Sequence, residues 1–199
     1  MDGRTVSAPH WSFFLTPAIA LVAATFAWLA IRNARSVARQ KATLDIIEKE
    51  LSSQHYRDVA AIFSTLRRTN ALASLNAPVE ADKPKRTAVL DHLNHYEVIS
   101  IGIRQNILDQ RIYRAWMEGT FVRDWNAASD WVQRERWKIG KDGKWQYRAS
   151  IFANYQEVAC RWSTEAVRLT ATSAPPPTKT TGPGDDPLPL PINEVSLKN

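Results

Sequence analysis

The chain has 199 residues, a formal net charge of +6, seven glycines and one cysteine. A single cysteine excludes an internal disulfide and a zinc site built on several thiolates, and so few glycines disfavour a turn-rich β-sandwich or a glycine-rich phosphate loop. The length leaves room for one domain of ordinary size, and stretches rich in alanine, glutamine and arginine favour an all-α fold.

The first apolar segment has the length and composition of a transmembrane helix. Residues 11–31 include no charged side chain, and a helix of that length covers about 30 Å, the thickness of a bilayer's hydrocarbon core. A cleavable signal peptide has a shorter apolar region with positive charge ahead of it, whereas the charge here follows. The sequence therefore predicts a single-pass anchor, preceded by a short extracytoplasmic N-terminus at residues 1–10.

A basic cluster follows this anchor directly and consists of Arg32, Arg35, Arg39 and Lys41. Positively charged side chains next to a transmembrane helix resist translocation. We therefore expect the N-terminus outside, the C-terminus inside, and the lipid bilayer as a partner.

The next part, residues 32–170, is predicted to be a cytoplasmic domain made of a long amphipathic helix and a small helical bundle. Apolar residues recur every three or four positions from residue 32 to 75, which indicates packing against the same domain, with a coiled coil as the alternative. Loops or turns are expected at 76–86 and 140–143. Further helices are predicted at residues 87–108 and 109–119, from Thr120 or Asp124 to residue 137, and at 151–169.

The composition changes after Ser173, and seven prolines lie between Pro175 and Pro191. Such a segment cannot build a core. We expect residues 171–199 to form a disordered tail, with a docking peptide at Pro187–Pro191 as the alternative.

Asn94 and Glu97 are the polar residues that stand out within an apolar helix. They are three positions apart and so share one helical face. Glu97 there could act as a general base or a ligand. The structural interpretation, which we favour, pairs Glu97 with Arg134 or Arg136, because a buried charge requires a partner.

Two other patterns have a functional and a structural interpretation. His92 and His95 have a spacing that permits metal binding, but no second Glu-x-x-His motif accompanies them, and we predict no metal and no cofactor. Five tryptophans lie among the basic residues of 111–148, a mixture that suits nucleic acid, anionic lipid or a protein core. We favour the core.

With the helices in place, the chain resembles bacterial proteins with a DUF4760 domain, a family of uncharacterised function. The similar segments are Arg39–Asp45 (RQKATLD) behind an anchor and Leu93–Ile103 (LNHYEVISIGI). The chain departs from the family pattern at Leu108–Gln110, where an acidic third residue is more usual. The resemblance implies a helical, membrane-tethered bacterial domain and therefore the inner membrane, and it supplies no catalytic residues.

No P-loop, nucleophile-elbow, zinc-protease or EF-hand motif occurs in the sequence. We therefore predict a membrane-tethered interaction or structural module that binds a protein partner or forms a homo-oligomer. The alternatives are an enzyme with a site around Glu97 and Asn94, and a tethered nucleic-acid-binding protein.

Overall fold

A computed structural model describes residues 12–76 and 80–171, so the predicted N-terminus and most of the predicted tail lie outside the described residues. Five α-helices and one small hairpin make up the described fold, which confirms the all-α class. Two short 3-10 helices, Leu72–Asn76 and Glu80–Asp82, connect α2 to α3. The elements are α1 (Ser12–Ser52), α2 (Gln54–Arg68), α3 (Lys83–Arg104), α4 (Gln110–Glu135), β1 (Trp137–Ile139), β2 (Trp145–Tyr147) and α5 (Ala153–Trp162).

Helix α1 joins the apolar segment to the helical domain without interruption. It includes a segment long and apolar enough to cross a membrane, a criterion that a signal sequence near the N-terminus can also meet. Side chains at positions 17–35 are exposed. The helix ends at Ser52, because Ser53 adopts an extended backbone and its hydroxyl accepts a bond from the Tyr56 N–H at 3.5 Å. The predicted helix over 32–75 is therefore divided by a serine N-cap, and its second part ends at Arg68, before the 3-10 helix Leu72–Asn76.

Asp109 begins α4, as the sequence predicted. Its Oδ1 accepts hydrogen bonds from the N–H groups of Arg111 at 2.9 Å and Ile112 at 3.4 Å. The predicted end at Gly119 is wrong, since α4 continues to Glu135. One glycine within a helix costs only about 1 kcal/mol, and the buried side chains that follow offset it.

The core lies between α2, α3, α4 and α5 and is rich in aromatic rings. Trp125 and Trp131 are fully buried there, and the Trp125 Nε1–H donates to the Val167 carbonyl at 2.7 Å. Tyr155 contacts the rings of Tyr96, Phe121 and Trp125 with centroids 4.5–5.1 Å apart. These tryptophans therefore belong to the core.

The C-terminal part of the described chain differs from its prediction in two ways. Strands β1 and β2 pair antiparallel, with Trp137 opposite Tyr147, around the predicted turn. Helix α5 ends at Trp162 and does not reach residue 169. Residues 163–171 instead run along α4, where the Asn126 Nδ2 donates to the Glu165 carbonyl at 3.0 Å.

Candidate functional site

The end of α1 and the helices α2, α3 and α4 line a cavity of about 290 Å³, which we call the polar cavity. Each of these helices contributes ionisable side chains. The charged and histidine side chains that line it are Glu50 from α1, Arg57 and Arg67 from α2, His92 and His95 from α3, and Arg123 and Asp124 from α4.

Two histidine–carboxylate pairs lie side by side in the polar cavity. The Nε2 of His92 is 3.0 Å from Oδ2 of Asp124, and the Nε2 of His95 is 2.8 Å from Oε1 of Glu50. Since an ionised carboxylate only accepts hydrogen bonds, each ring carries a proton on Nε2. In a neutral ring Nδ1 then accepts, and in a protonated ring it donates.

Aromatic side chains hold both histidines in position. Phe63 stacks on His92 with ring centroids 4.2 Å apart, and the centroids of Tyr56 and His95 are 4.5 Å apart. The Tyr113 hydroxyl donates to Glu50 Oε1 at 3.2 Å. Burial, and then the nearby Glu50 carboxylate, raises the pKa of Tyr113 well above its usual value, so this phenol keeps its proton.

Positive charge exceeds negative charge around the polar cavity. Arg67 pairs with Asp124 Oδ1, and the Nε of Arg123 lies 3.8 Å from the same oxygen. Arg57 donates to the Leu51 carbonyl at 2.9 Å. Three guanidinium groups against two carboxylates leave 3 − 2 = +1 before either histidine is protonated.

One family model, described as a domain of unknown function (DUF4760), matches residues 17–162. The chain belongs to the DUF4760 family. This confirms the resemblance seen in the sequence, and no curated protein or solved structure matches the chain. The matched DUF4760 region extends from the apolar part of α1 to the end of α5, and therefore includes every residue that lines the polar cavity.

Glu97 of this DUF4760 domain contacts the start of α5. Its Oε1 accepts from the Asn154 Nδ2 at 2.6 Å and from the Asn154 N–H at 3.2 Å, and its Oε2 accepts from the Tyr155 N–H at 2.7 Å. Helix α5 has no side-chain cap of its own at Phe152. The Glu97 carboxylate therefore caps α5 from another helix.

The arginines proposed as partners of Glu97 are engaged elsewhere or exposed. Arg136 is 2% exposed and donates to the Ile151 carbonyl at 2.9 Å and to Gln156 Oε1 at 2.8 Å. Arg134 is exposed, and Asn94 is half-buried on α3. The structure differs from the prediction because backbone N–H groups, and not a guanidinium, surround the Glu97 carboxylate.

The sequence drew attention to His92 and His95 but missed their carboxylate partners. The signal was the spacing of the two histidines, whereas Glu50 and Asp124 lie in separate helices, 45 and 32 positions away along the chain. Within residues 12–76 and 80–171, no group of three or more histidine, cysteine or acidic side chains is arranged to hold a metal ion.

The predicted membrane-orienting residues lie where α1 passes from its apolar segment into the domain. The Arg32 guanidinium is 5.5 Å from the centroid of the Trp28 ring. Arg35 and Lys41 are exposed, and Arg39 donates to Asn106 Oδ1 in the turn after α3. This last bond joins α1 to the domain at the third residue of the basic cluster.

Proposed function

We propose that this chain is a membrane-tethered interaction module whose helix α1 pairs with α1 of a second copy. The supporting observation is an exposed apolar stripe on α1 that runs as far as Leu51 at the polar cavity. Val37, Leu44 and Leu51 are 55%, 54% and 61% exposed and recur at intervals of seven residues. The opposite face of α1 packs against the domain through Ala42 and Ile46.

The spacing of this stripe fits a left-handed parallel coiled coil. Lys41 and Glu48 alternate with the three apolar residues, which gives steps of four and three residues. Their long side chains can extend past the apolar contacts to water. Covering the exposed half of each apolar side chain is worth about 1 kcal/mol, so the six side chains of a dimer contribute roughly 6 kcal/mol before the cost of association.

The same line continues into the apolar segment as a series of small residues. Small side chains let two transmembrane helices approach closely, which supports one continuous interface across the bilayer boundary. The residues on this line are Ala20, Ala23, Ala27, Ala30 and Ala34.

We also propose that the domain lies on the cytoplasmic side of a bacterial inner membrane, with the N-terminus outside. The cluster Arg32, Arg35, Arg39 and Lys41 supports this orientation, because positive side chains next to an anchor remain inside. A cytoplasm-active reporter fused after Asn199 should be active and a periplasm-active reporter silent. The reverse pattern contradicts this orientation.

Site-directed cross-linking tests the proposed pairing. In a Cys160→Ser background, Leu44→Cys should give a disulfide-linked dimer when membranes are oxidised, because the seam brings the two copies of residue 44 together. Lys49→Cys is the matched control, since Lys49 is exposed on α1 but lies about 140° around the helix from Leu44. Equal cross-linking at both positions, or none at Leu44→Cys, contradicts the proposal.

The two alternative functions gain no support from the positions of their residues. For the enzyme, the Glu97 carboxylate already accepts hydrogen bonds from the start of α5. For the nucleic-acid-binding protein, two of the tryptophans expected to stack on bases, Trp125 and Trp131, are buried. An interaction role therefore accounts best for the exposed apolar stripe.

A further inference from the structure

We infer that the polar cavity binds a small oxyanion, a compact molecule that carries a carboxylate or phosphate group. The inference does not depend on pairing through α1, because the apolar stripe and the lining of the polar cavity share only Leu51. Three properties of the polar cavity support the inference: the excess of positive charge around it, the hydrogen-bond donors that line it, and its volume.

Two guanidinium groups at the polar cavity remain available to a ligand. Within the described part of the chain, Arg57 forms no ion pair, and its Nη atoms donate to the Leu51 carbonyl and to Gln54 Oε1 at 2.8–2.9 Å. The Arg123 Nε lies 3.8 Å from Asp124 Oδ1, one of its Nη atoms donates to Thr120 Oγ1 at 3.3 Å, and the side chain is more than half exposed. Guanidinium groups donate in pairs to carboxylates and phosphates, so they favour an oxyanion over a halide.

The histidine pairs leave one further polar atom on each ring. The Nε2 atoms of His92 and His95 form hydrogen bonds with Asp124 and Glu50 at 3.0 and 2.8 Å. Nδ1 is therefore the ring atom that can either accept or donate a hydrogen bond. Protonation turns Nδ1 from an acceptor into a donor and adds positive charge.

Neutral side chains complete the lining and indicate the shape of the ligand. Hydroxyl groups of Tyr56, Ser64 and Thr120 line the polar cavity and can donate hydrogen bonds, while Trp116 and Met117 present apolar surface. The mixture suits a charged group attached to a short carbon skeleton. The volume of about 290 Å³ equals the share of liquid occupied by about ten water molecules, so the ligand is small.

The test uses the full chain in mild detergent, with sodium phosphate and sodium succinate as probes. Sodium chloride holds the ionic strength constant, so that general screening contributes equally to every sample. Tryptophan fluorescence follows thermal unfolding, and isothermal titration calorimetry gives the affinity. We expect a saturable rise in Tm with at least one probe, because a ligand that binds only the folded chain stabilises it.

Three variants connect that response to the polar cavity. Arg57→Gln and Arg123→Gln should each weaken binding about tenfold, as expected for the loss of a charged hydrogen bond. Ala60→Trp should abolish the response by filling the cavity while removing no polar contact, since Ala60 is exposed on its lining. Arg111→Gln is the control, because Arg111 is an exposed arginine on the same helix as Arg123 that does not line the cavity.

The outcomes separate the ligand classes and decide the inference. Saturation with phosphate alone assigns a phosphate-bearing ligand, and saturation with succinate alone assigns a carboxylate. The inference is overturned if neither anion acts beyond the chloride control. It is also overturned if Ala60→Trp binds as tightly as the unchanged chain.

Discussion

Replacing Glu97 by glutamine distinguishes a structural carboxylate from a catalytic one. Glu97 is 8% exposed and accepts three hydrogen bonds, two of them from backbone N–H groups at the start of α5. Glutamine keeps the shape and one acceptor oxygen but places an amide donor against N–H donors and removes the charge that interacts with the helix dipole. A hydrogen bond to a charged group is worth about 1.5–3 kcal/mol, so we expect Glu97→Gln to cost about 2 kcal/mol.

The size of this effect makes it measurable by thermal unfolding. For a domain of this length, about 2 kcal/mol lowers Tm by roughly 4–8 °C. Glu97→Ala should cost about 3 kcal/mol, because it leaves the same N–H groups without any acceptor and adds a void. Tryptophan fluorescence of the full chain in mild detergent follows both transitions.

Glu157→Gln is the matched control for the same substitution on α5. The Glu157 side chain is 46% exposed and forms surface pairs with Arg104 and Arg161 at 2.8–2.9 Å. Exposed pairs contribute little, so we expect at most about 0.5 kcal/mol. An unchanged Tm in Glu97→Gln would refute the capping role. Loss of function in cells with unchanged stability and abundance would instead support the enzyme.

Two further predictions concern α1. Leu21→Arg should make the free energy of membrane insertion about 3 kcal/mol less favourable, because position 21 lies near the bilayer centre of the predicted anchor. Carbonate extraction should therefore release the variant but not the unchanged chain. Equal retention of the two contradicts the anchor. Thr43→Val should cost about 1–2 kcal/mol in urea unfolding, because the buried Thr43 hydroxyl accepts from the Asp109 N–H and donates to the Arg39 carbonyl, both at 2.8 Å. An unchanged midpoint would show that water replaces these bonds.

Local signals in the sequence predicted the parts of the fold that local chemistry decides. The apolar run of α1 and the aspartate cap at Asp109 depend on neighbouring residues alone. The described part of the run is helical, and the cap occurs as predicted. The predicted end at Gly119 failed because burial of Phe121 and Trp125 extends α4 through a weak helix former. Tertiary packing, which no local window shows, decided that boundary.

The last helix was predicted too long for a similar reason. Residues 163–169 have the composition of a helix but form a turn at 164–166 and then continue without regular structure. Val167 exchanges hydrogen bonds with Trp125 and Asn126 on α4 at 2.7–2.9 Å. The hairpin was visible in part, as a turn at 140–143 between short segments rich in aromatic residues. Each strand has only three residues, which is too short for an alternating pattern to be recognised.

The candidate site, too, could be predicted from the sequence only where neighbouring residues determine it. The spacing of His92 and His95 places both rings on one helical face, and this was visible in the sequence. Their carboxylate partners come from α1 and α4, and nothing in the local pattern distinguishes Glu50 or Asp124 from acidic residues on the surface. Only the packing of the helices brings these four side chains together.

Helix α1 includes the apolar segment, the apolar stripe and part of the lining of the polar cavity. Leu44 is exposed on the face away from the domain, whereas Glu50, less than two turns later, faces His95 in the polar cavity. Because the residues of the stripe and the residues of the cavity meet at Leu51 alone, pairing and anion binding rest on almost separate sets of contacts. Val37→Glu should therefore weaken cross-linking through Leu44→Cys while leaving the anion-dependent rise in Tm unchanged, because Val37 is exposed and does not line the cavity. Parallel loss of both would mean that the second copy helps to form the cavity.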